Sequence, residues 1–186
     1  MRIIAGKHKG LTLAALGKGD AGAHLRPTTD RVRESLFNLL LNGPYGDPVS
    51  GARVLDLFAG TGALGLEALS RGAAHVTFVD DGAKARALIA QNIDKCRAAA
   101  QTNVVRRDAT RLGPNGTAPF DLVFLDPPYG KGLGERAMAA ALAGGWISPG
   151  ALIVWEEGDA IMPPEGLTLL DRRRYGDSHI AILRNE

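Results

Sequence analysis

The chain has little cysteine, little net charge and no long apolar run. One cysteine among 186 residues, Cys96, excludes an internal disulfide and offers no thiol cluster for a metal. Flanked by Lys95 and Arg97 in a polar helical pattern, it reads as a bystander. No apolar stretch approaches the roughly 20 residues of a membrane-spanning helix, and no apolar core follows the first charges as in a signal peptide. A soluble cytoplasmic protein is expected, with no membrane partner and no metal. Internal repeats and low-complexity segments are also missing.

The hydrophobic content is 45%, ordinary for a globular chain and enough at this length for one well-buried domain with a short appendage. Net charge is only +2, but it is unevenly spread. Residues 1–33 hold seven basic side chains against Asp20 and Asp30, whereas the other 153 residues hold 15 basic against 18 acidic. Such asymmetry points to an amino-terminal segment that meets a polyanion.

That segment opens with Ile3-Ile4 and the run from Leu11 to Leu16 around Gly6-Lys7-His8-Lys9-Gly10, a pattern that predicts a small hairpin with a basic tip. Lysines there suit phosphate contacts, the main sequence-independent term in nucleic-acid binding. Gly17 to Ala23 reads as a mobile loop. Arg26-Pro27-Thr28-Thr29-Asp30 starts a helix, with Thr28, Thr29 or Asp30 as its cap and Val32, Leu36, Leu39 and Leu40 as its apolar stripe. Arg31 and Arg33 lie off that stripe, either extending the basic surface or solvating the helix. Asn42 to Ser50 is rich in breakers and reads as a linker. Residues 1–50 are thus an extension and 51–186 the main domain.

From Arg53 onward strands and helices alternate, which predicts a parallel sheet covered on both faces. Strands are expected at Val54–Leu57, His75–Val79, Asn103–Arg106, Phe120–Leu125 and Ala151–Trp155, with helices at Ala63–Arg71, Ala83–Ala99 and Glu135–Ala143. Leu167–Leu170 and His179–Leu183, joined by the polar stretch Asp171 to Ser178, read as a closing hairpin. Arg172-Arg173-Arg174 in that stretch is either a second basic patch or a solvated turn.

Chemistry is signalled at two strand ends. After the first strand comes Asp56-Leu57-Phe58-Ala59-Gly60-Thr61-Gly62-Ala63-Leu64-Gly65, a glycine-rich turn opening a helix. Asp80 ends the second strand, where it suits the two hydroxyls of an adenosine ribose. Asp56 would repel a pyrophosphate but attract an ammonium, which favours S-adenosylmethionine over a dinucleotide. Asp108, after the third strand, is placed to accept from an adenine amino group, with the Ala109 amide available to a ring nitrogen. As a lone residue Asp108 reads equally as a turn or cap aspartate.

The other strand end carries Asp126-Pro127-Pro128-Tyr129, where ligands bind in open α/β sheets. An exocyclic base amine is a poor nucleophile because its lone pair is delocalised. Acceptors that orient the NH2 group favour a more tetrahedral nitrogen, and the Asp126 carboxylate and Pro127 carbonyl are two such acceptors. Tyr129 offers a face for stacking. Proline donates nothing and fixes its carbonyl direction.

Taken together, Asp56 to Gly62 and Asp126 to Tyr129 resemble the class I amino-methyltransferases. Arg2-Ile3-Ile4-Ala5-Gly6, Arg26-Pro27-Thr28 and Val32-Arg33-Glu34-Ser35-Leu36-Phe37-Asn38 narrow the resemblance to the RsmD family of 16S ribosomal RNA guanine-N2 methyltransferases, over nearly the whole chain. The resemblance implies an α/β, Rossmann-like seven-stranded sheet with its last strand antiparallel. It implies S-adenosylmethionine as cofactor, held by Asp56, Phe58, Gly60, Gly62, Asp80, Asp108 and Ala109, and catalysis at Asp126, Pro127, Pro128 and Tyr129. It further implies a monomer whose amino-terminal hairpin, with Arg2, Lys7, Lys9, Arg26 and Arg31, contacts 16S rRNA in the small subunit or its assembly intermediate. Asp81-Gly82 follows Asp80 where relatives often carry another polar residue, so either aspartate is a candidate for the ribose. Thr61 stands where serine is more frequent. The rival readings are an adenine-N6 DNA methyltransferase, which usually carries a separate recognition domain, and a non-catalytic RNA-binding assembly factor.

Overall fold

A computed structural model describes residues 1–17 and 28–186. Most of the loop expected at Gly17 to Ala23, and Arg26 and Pro27, lie outside the described residues. The main body alternates as expected: β1 (Arg53–Leu57), α2 (Ala63–Ser70), β2 (His75–Val79), α3 (Ala83–Lys95), β3 (Thr102–Val105), β4 (Phe120–Leu125), α4 (Leu133–Ala143), β5 (Ile147–Glu157), β6 (Leu167–Tyr175) and β7 (Ser178–Asn185), all preceded by α1 (Asp30–Asn42). The seven strands form one sheet in the order β3-β2-β1-β4-β5-β7-β6. β1 to β5 pair in parallel, and β7 runs antiparallel to both of its neighbours.

Side-chain alternation along the strands divides the core into two layers. Val54, Phe78, Phe124 and Val154 face α1, α2, α3 and the amino-terminal arm, whereas Leu55, Val79, Val123 and Trp155 face α4. These positions are at most 4% exposed, so the central strands read as nearly continuous apolar runs.

Three expectations are corrected. The expected helix Ala83–Ala99 stops at Lys95, and a separate 3-10 turn covers Ala99–Gln101. The stretch expected to join the last two runs is strand for most of its length: β6 continues to Tyr175, so Arg172-Arg173-Arg174 lies on the edge strand rather than in a turn. Alternating polar residues on a half-exposed edge leave no apolar period to read. Arg33, read as off the helical stripe, is fully buried; the stripe of α1 is Arg33, Leu36, Phe37 and Leu40. Arg31 is exposed. Thr29 caps α1, its side chain accepting from the Val32 amide at 3.2 Å.

Arg33 is buried because Glu67 of α2 is buried with it. The Glu67 carboxylate accepts from the Ile4 amide at 2.9 Å, the Ala5 amide at 3.2 Å and Arg71 Nε at 2.9 Å, with Arg33 Nε at 3.7 Å. Arg33 also donates to Asp30 Oδ1 at 2.8 Å and to the Arg2 carbonyl. Ser70 accepts from Lys7 and His8 amides and donates to the Ala5 carbonyl. Asn92 of α3 exchanges two hydrogen bonds with the Ala14 backbone and donates to the Thr61 carbonyl at 2.8 Å. The arm is therefore held to α2 and α3 by buried side chains that satisfy its backbone. Within it, residues 1–13 form the expected hairpin, reduced to one antiparallel bridge, Arg2 with Thr12. Gly6, at φ +83°, passes so close to α2 that a Cβ there would lie 1.9 Å from the Ser70 carbonyl oxygen.

Candidate active site

Sheet register gathers the acids that sequence spacing scatters. Asp56 pairs in register with Phe78 on one side and Phe124 on the other. Alternation then puts Asp80, two residues beyond Phe78, and Asp126, two beyond Phe124, on the same face as Asp56. The β4–β5 pairing matches Phe124 with Val154 and Leu125 with Trp155, so one step further Asp126 stands beside Glu156. Four adjacent strands thus present four carboxylates at their carboxyl ends, on the face covered by the arm. Glu156 carried no motif signal, because its meaning arises only from being paired with β4.

Asp56, Asp80 and Asp126 line one cleft of about 790 Å³, together with Phe58, Gly60, Thr61, Pro127, Pro128 and Tyr129. The arm closes a wall with Ala15, Leu16 and Thr28, and Lys84 and Lys131 stand at its rim. The turn after β1 is conformationally demanding. Phe58 has φ 56°, a left-handed value that costs energy for a bulky residue and is found where function requires it. At Gly65 a Cβ would lie 2.5 Å from the Phe78 ring and 3.1 Å from Asp56 Oδ2, so only glycine lets α2 sit this near the Asp56 carboxylate. The Gly65 amide donates to that carboxylate at 3.0 Å. Asp80 accepts from the Gly60 amide at 3.0 Å and the Gly82 amide at 2.9 Å, tying the turns after β1 and β2 together.

Burial raises the pKa of Asp56, Asp80 and Asp126. Asp56 is pushed up to about 8, with the Gly65 amide opposing the shift and the Asp80 charge adding to it. Asp80 is raised by burial against the pull of the Gly60 and Gly82 amides. Asp126 lies well above the carboxylate range because of burial, then the charges of Glu156, Asp56 and Glu157, with a Thr28 hydrogen bond opposing. A cleft built this way favours a cationic or donor-rich ligand and disfavours a pyrophosphate.

The acceptor loop is braced from below. Tyr129 donates its hydroxyl to Glu156 Oε1 at 2.6 Å and lies 2.8 Å from Ser178 Oγ on β7. Its ring packs over Gly158, where a Cβ would come within 3.0 Å.

Other sequence-predicted residues fall elsewhere. Gly62, at φ 78°, is the N-cap of α2. Asp108 is exposed and spends Oδ1 on the Thr110 amide and hydroxyl, which hold its carboxyl below the usual range; Asp108 and Ala109 are not among the residues lining the cleft. Arg2, Lys7, Lys9 and Arg31 are exposed. Lys7 sits against Ser70, at the end of α2 remote from the cleft, on the order of 10 Å from its glycine turn at 1.5 Å per helical residue. Arg26 lies outside the described residues.

Sheet order, glycine turn and the Asp-Pro-Pro-Tyr loop define a Rossmann-like class I methyltransferase. Residues 1–184 match the family model described as Conserved hypothetical protein 95, and the chain belongs to that family. A Haemophilus influenzae relative named Ribosomal RNA small subunit methyltransferase D is 36% identical over 95% of this chain and 89% of its own length. The Escherichia coli protein of the same name is 41% identical over 84% of this chain and 74% of its own. Among solved structures, Escherichia coli yhhF superposes with a TM-score of 0.82 at 34% identity, covering 100% of this chain and 98% of that one.

Proposed function

We propose that the chain is an S-adenosylmethionine-dependent methyltransferase acting on ribosomal RNA, and that its methyl acceptor is the exocyclic N2 amine of one guanine in the 16S rRNA of the small subunit. The observation that carries this reading is the row of carboxylates Asp80, Asp56 and Asp126 across β2, β1 and β4, gathered in one cleft, raised in pKa by burial and ending at the Asp-Pro-Pro-Tyr loop. The two curated relatives named as small-subunit rRNA methyltransferases support the substrate class.

The residues divide along the sheet. Asp56 faces the ammonium of the cofactor's amino-acid moiety and Asp80 or Asp81 its ribose hydroxyls, with Phe58, Gly60 and Gly62 shaping the turn between them. Asp108, whose Oδ2 accepts no bond from the described residues, and the Ala109 amide are assigned to the adenine at the β3 end. When bound, the cofactor supplies an electrophilic methyl carbon on a sulfonium. On the β4 side, Asp126 and the Pro127 carbonyl accept the two amine hydrogens and direct the nitrogen lone pair, while the braced Tyr129 ring stacks the base. Nitrogen gains the methyl group that the sulfonium gives up and sheds one proton, to the Asp126 carboxylate or to water. Arg2, Lys7, Lys9, Arg26 and Arg31 are assigned to RNA phosphates. The protein is read as a cytoplasmic monomer, and no described helix is long and apolar enough to cross a membrane.

Mass spectrometry or primer extension of rRNA from a strain lacking the gene is expected to reveal one unmethylated guanine N2 in 16S rRNA. The Asp126→Ala protein is expected to bind S-adenosylhomocysteine like the wild type by calorimetry and to transfer no methyl. Wild-type turnover in that variant would sink the assignment.

A further inference from the structure

We infer that Glu156 is the residue that selects guanine over adenine, by accepting the N1–H that lies beside the reacting amine. This inference rests on the reading that guanine N2 is the methyl acceptor. The Asp-Pro-Pro-Tyr loop alone does not discriminate, because it provides only acceptors for an NH2 group and either base has one. The bases differ next to that group. Guanine presents N1–H beside its amine, a row of donors, whereas adenine presents the bare N1 lone pair.

A guanine-selective site therefore needs one more acceptor beside those for the amine, and it should be anionic, so that an adenine lone pair meets a like charge. Glu156 is the acceptor placed for this. It is the next carboxylate after Asp126 across the sheet, one register step past the pairing of Leu125 with Trp155. It lies on the arm-covered face, two residues beyond Val154 of that face's core. Its position is fixed from one side only: Oε1 accepts from the Tyr129 hydroxyl at 2.6 Å, and no described residue donates to Oε2. The residue is only partly buried. Glu157, by contrast, alternates to the other face and is enclosed. Glu156 is not among the residues that line the cleft as Asp126 is, but after burial its charge raises the Asp126 pKa more than any other, so the two carboxylates stand close. The tyrosine that stacks the base thus also holds the acid that reads it.

The test is Glu156→Gln against small-subunit rRNA carrying either guanine or 2-aminopurine at the methylated position. The glutamine keeps a carbonyl oxygen for Tyr129, so the brace survives, but its NH2 replaces the free acceptor. The base 2-aminopurine keeps the N2 amine and lacks N1–H. The wild type is expected to prefer guanine by about a hundredfold in kcat/KM, the scale on which a site built for a hydrogen bond rejects an analogue lacking it. In Glu156→Gln that ratio is expected to collapse to within about tenfold. Because the two amines differ in intrinsic reactivity, the change in ratio is the quantity read. A ratio unchanged in the variant reduces Glu156 to a brace for Tyr129 and overturns the inference. If the variant fails to bind S-adenosylhomocysteine, the wild type decides alone: 2-aminopurine methylated as fast as guanine overturns the inference as well. No transfer to guanine RNA by the wild type would instead break the underlying reading, and the two failures are thereby distinct.

Discussion

Two sets of buried carboxylates lie on the same side of the sheet and are treated in opposite ways. Glu67 is surrounded by donors: two arm amides and the guanidiniums of Arg33 and Arg71. Asp56 receives one amide, and Asp126 is crowded by other acids. A buried charge is tolerable only when paired, and an unpaired carboxylate responds by holding its proton. The first set is complete in the folded chain and fastens the arm. The second is incomplete and becomes satisfactory only with a cation or a donor edge in place. Incomplete pairing separates the site from the scaffold more sharply than burial, which both sets share.

The comparison can be broken by substitution. Asp126→Ala should cost about a thousandfold or more in transfer, since it removes an acceptor made for the transition state, while its urea midpoint should not fall. Glu67→Ala should do the reverse. It strands Arg33 in the interior and should lower stability by about 3–5 kcal/mol in urea titration. If Glu67→Ala were stable and Asp126→Ala unfolded, the assignment of the two sets would be inverted.

Smaller effects sharpen the same contrast. Gly6→Ala meets both a left-handed φ and the Ser70 carbonyl, and should cost about 2 kcal/mol in the same assay. Asp56, with its pKa at about 8, is mostly protonated at pH 6 to 7. A ligand ammonium requires the anion, so S-adenosylhomocysteine affinity should rise about tenfold as pH rises over that unit, with protons released. Calorimetry in buffers of different ionisation heat checks this, and Asp56→Asn should flatten the profile. The smallest effect concerns the hairpin tip. Lys7→Ala with Lys9→Ala should change stability by no more than about 0.5 kcal/mol but lower the salt slope of RNA binding by about two. An unchanged slope would make the tip a solvated turn, consistent with its place at the far end of α2 from the cleft.

Much of the fold was legible from local pattern alone. Apolar runs, helical stripes and glycine turns identify all seven strands and the order of the helices, because each depends on residues a few positions apart. The positions of Asp56, Asp80 and Asp126 at strand ends were legible too, since the special turns that follow mark them, and the structure places all three in one cleft. Exposure misled at Arg33, where periodicity counted a charged residue as a surface one although it heads the buried stripe. That error could not be repaired locally, because its partner Glu67 stands 34 positions away on another helix.

What the sequence determined by itself is therefore the alternation of elements, the two chemical turns and the excess of positive charge at the amino terminus. These follow from short-range sterics and periodicity. Only the tertiary structure decided that the arm is held down by Glu67, Ser70 and Asn92, that its basic tip is turned away from the cleft, and that Glu156 joins Asp126. Each of those depends on which strand or helix lies next to which, and strand order is settled by packing over the whole chain rather than by any one segment.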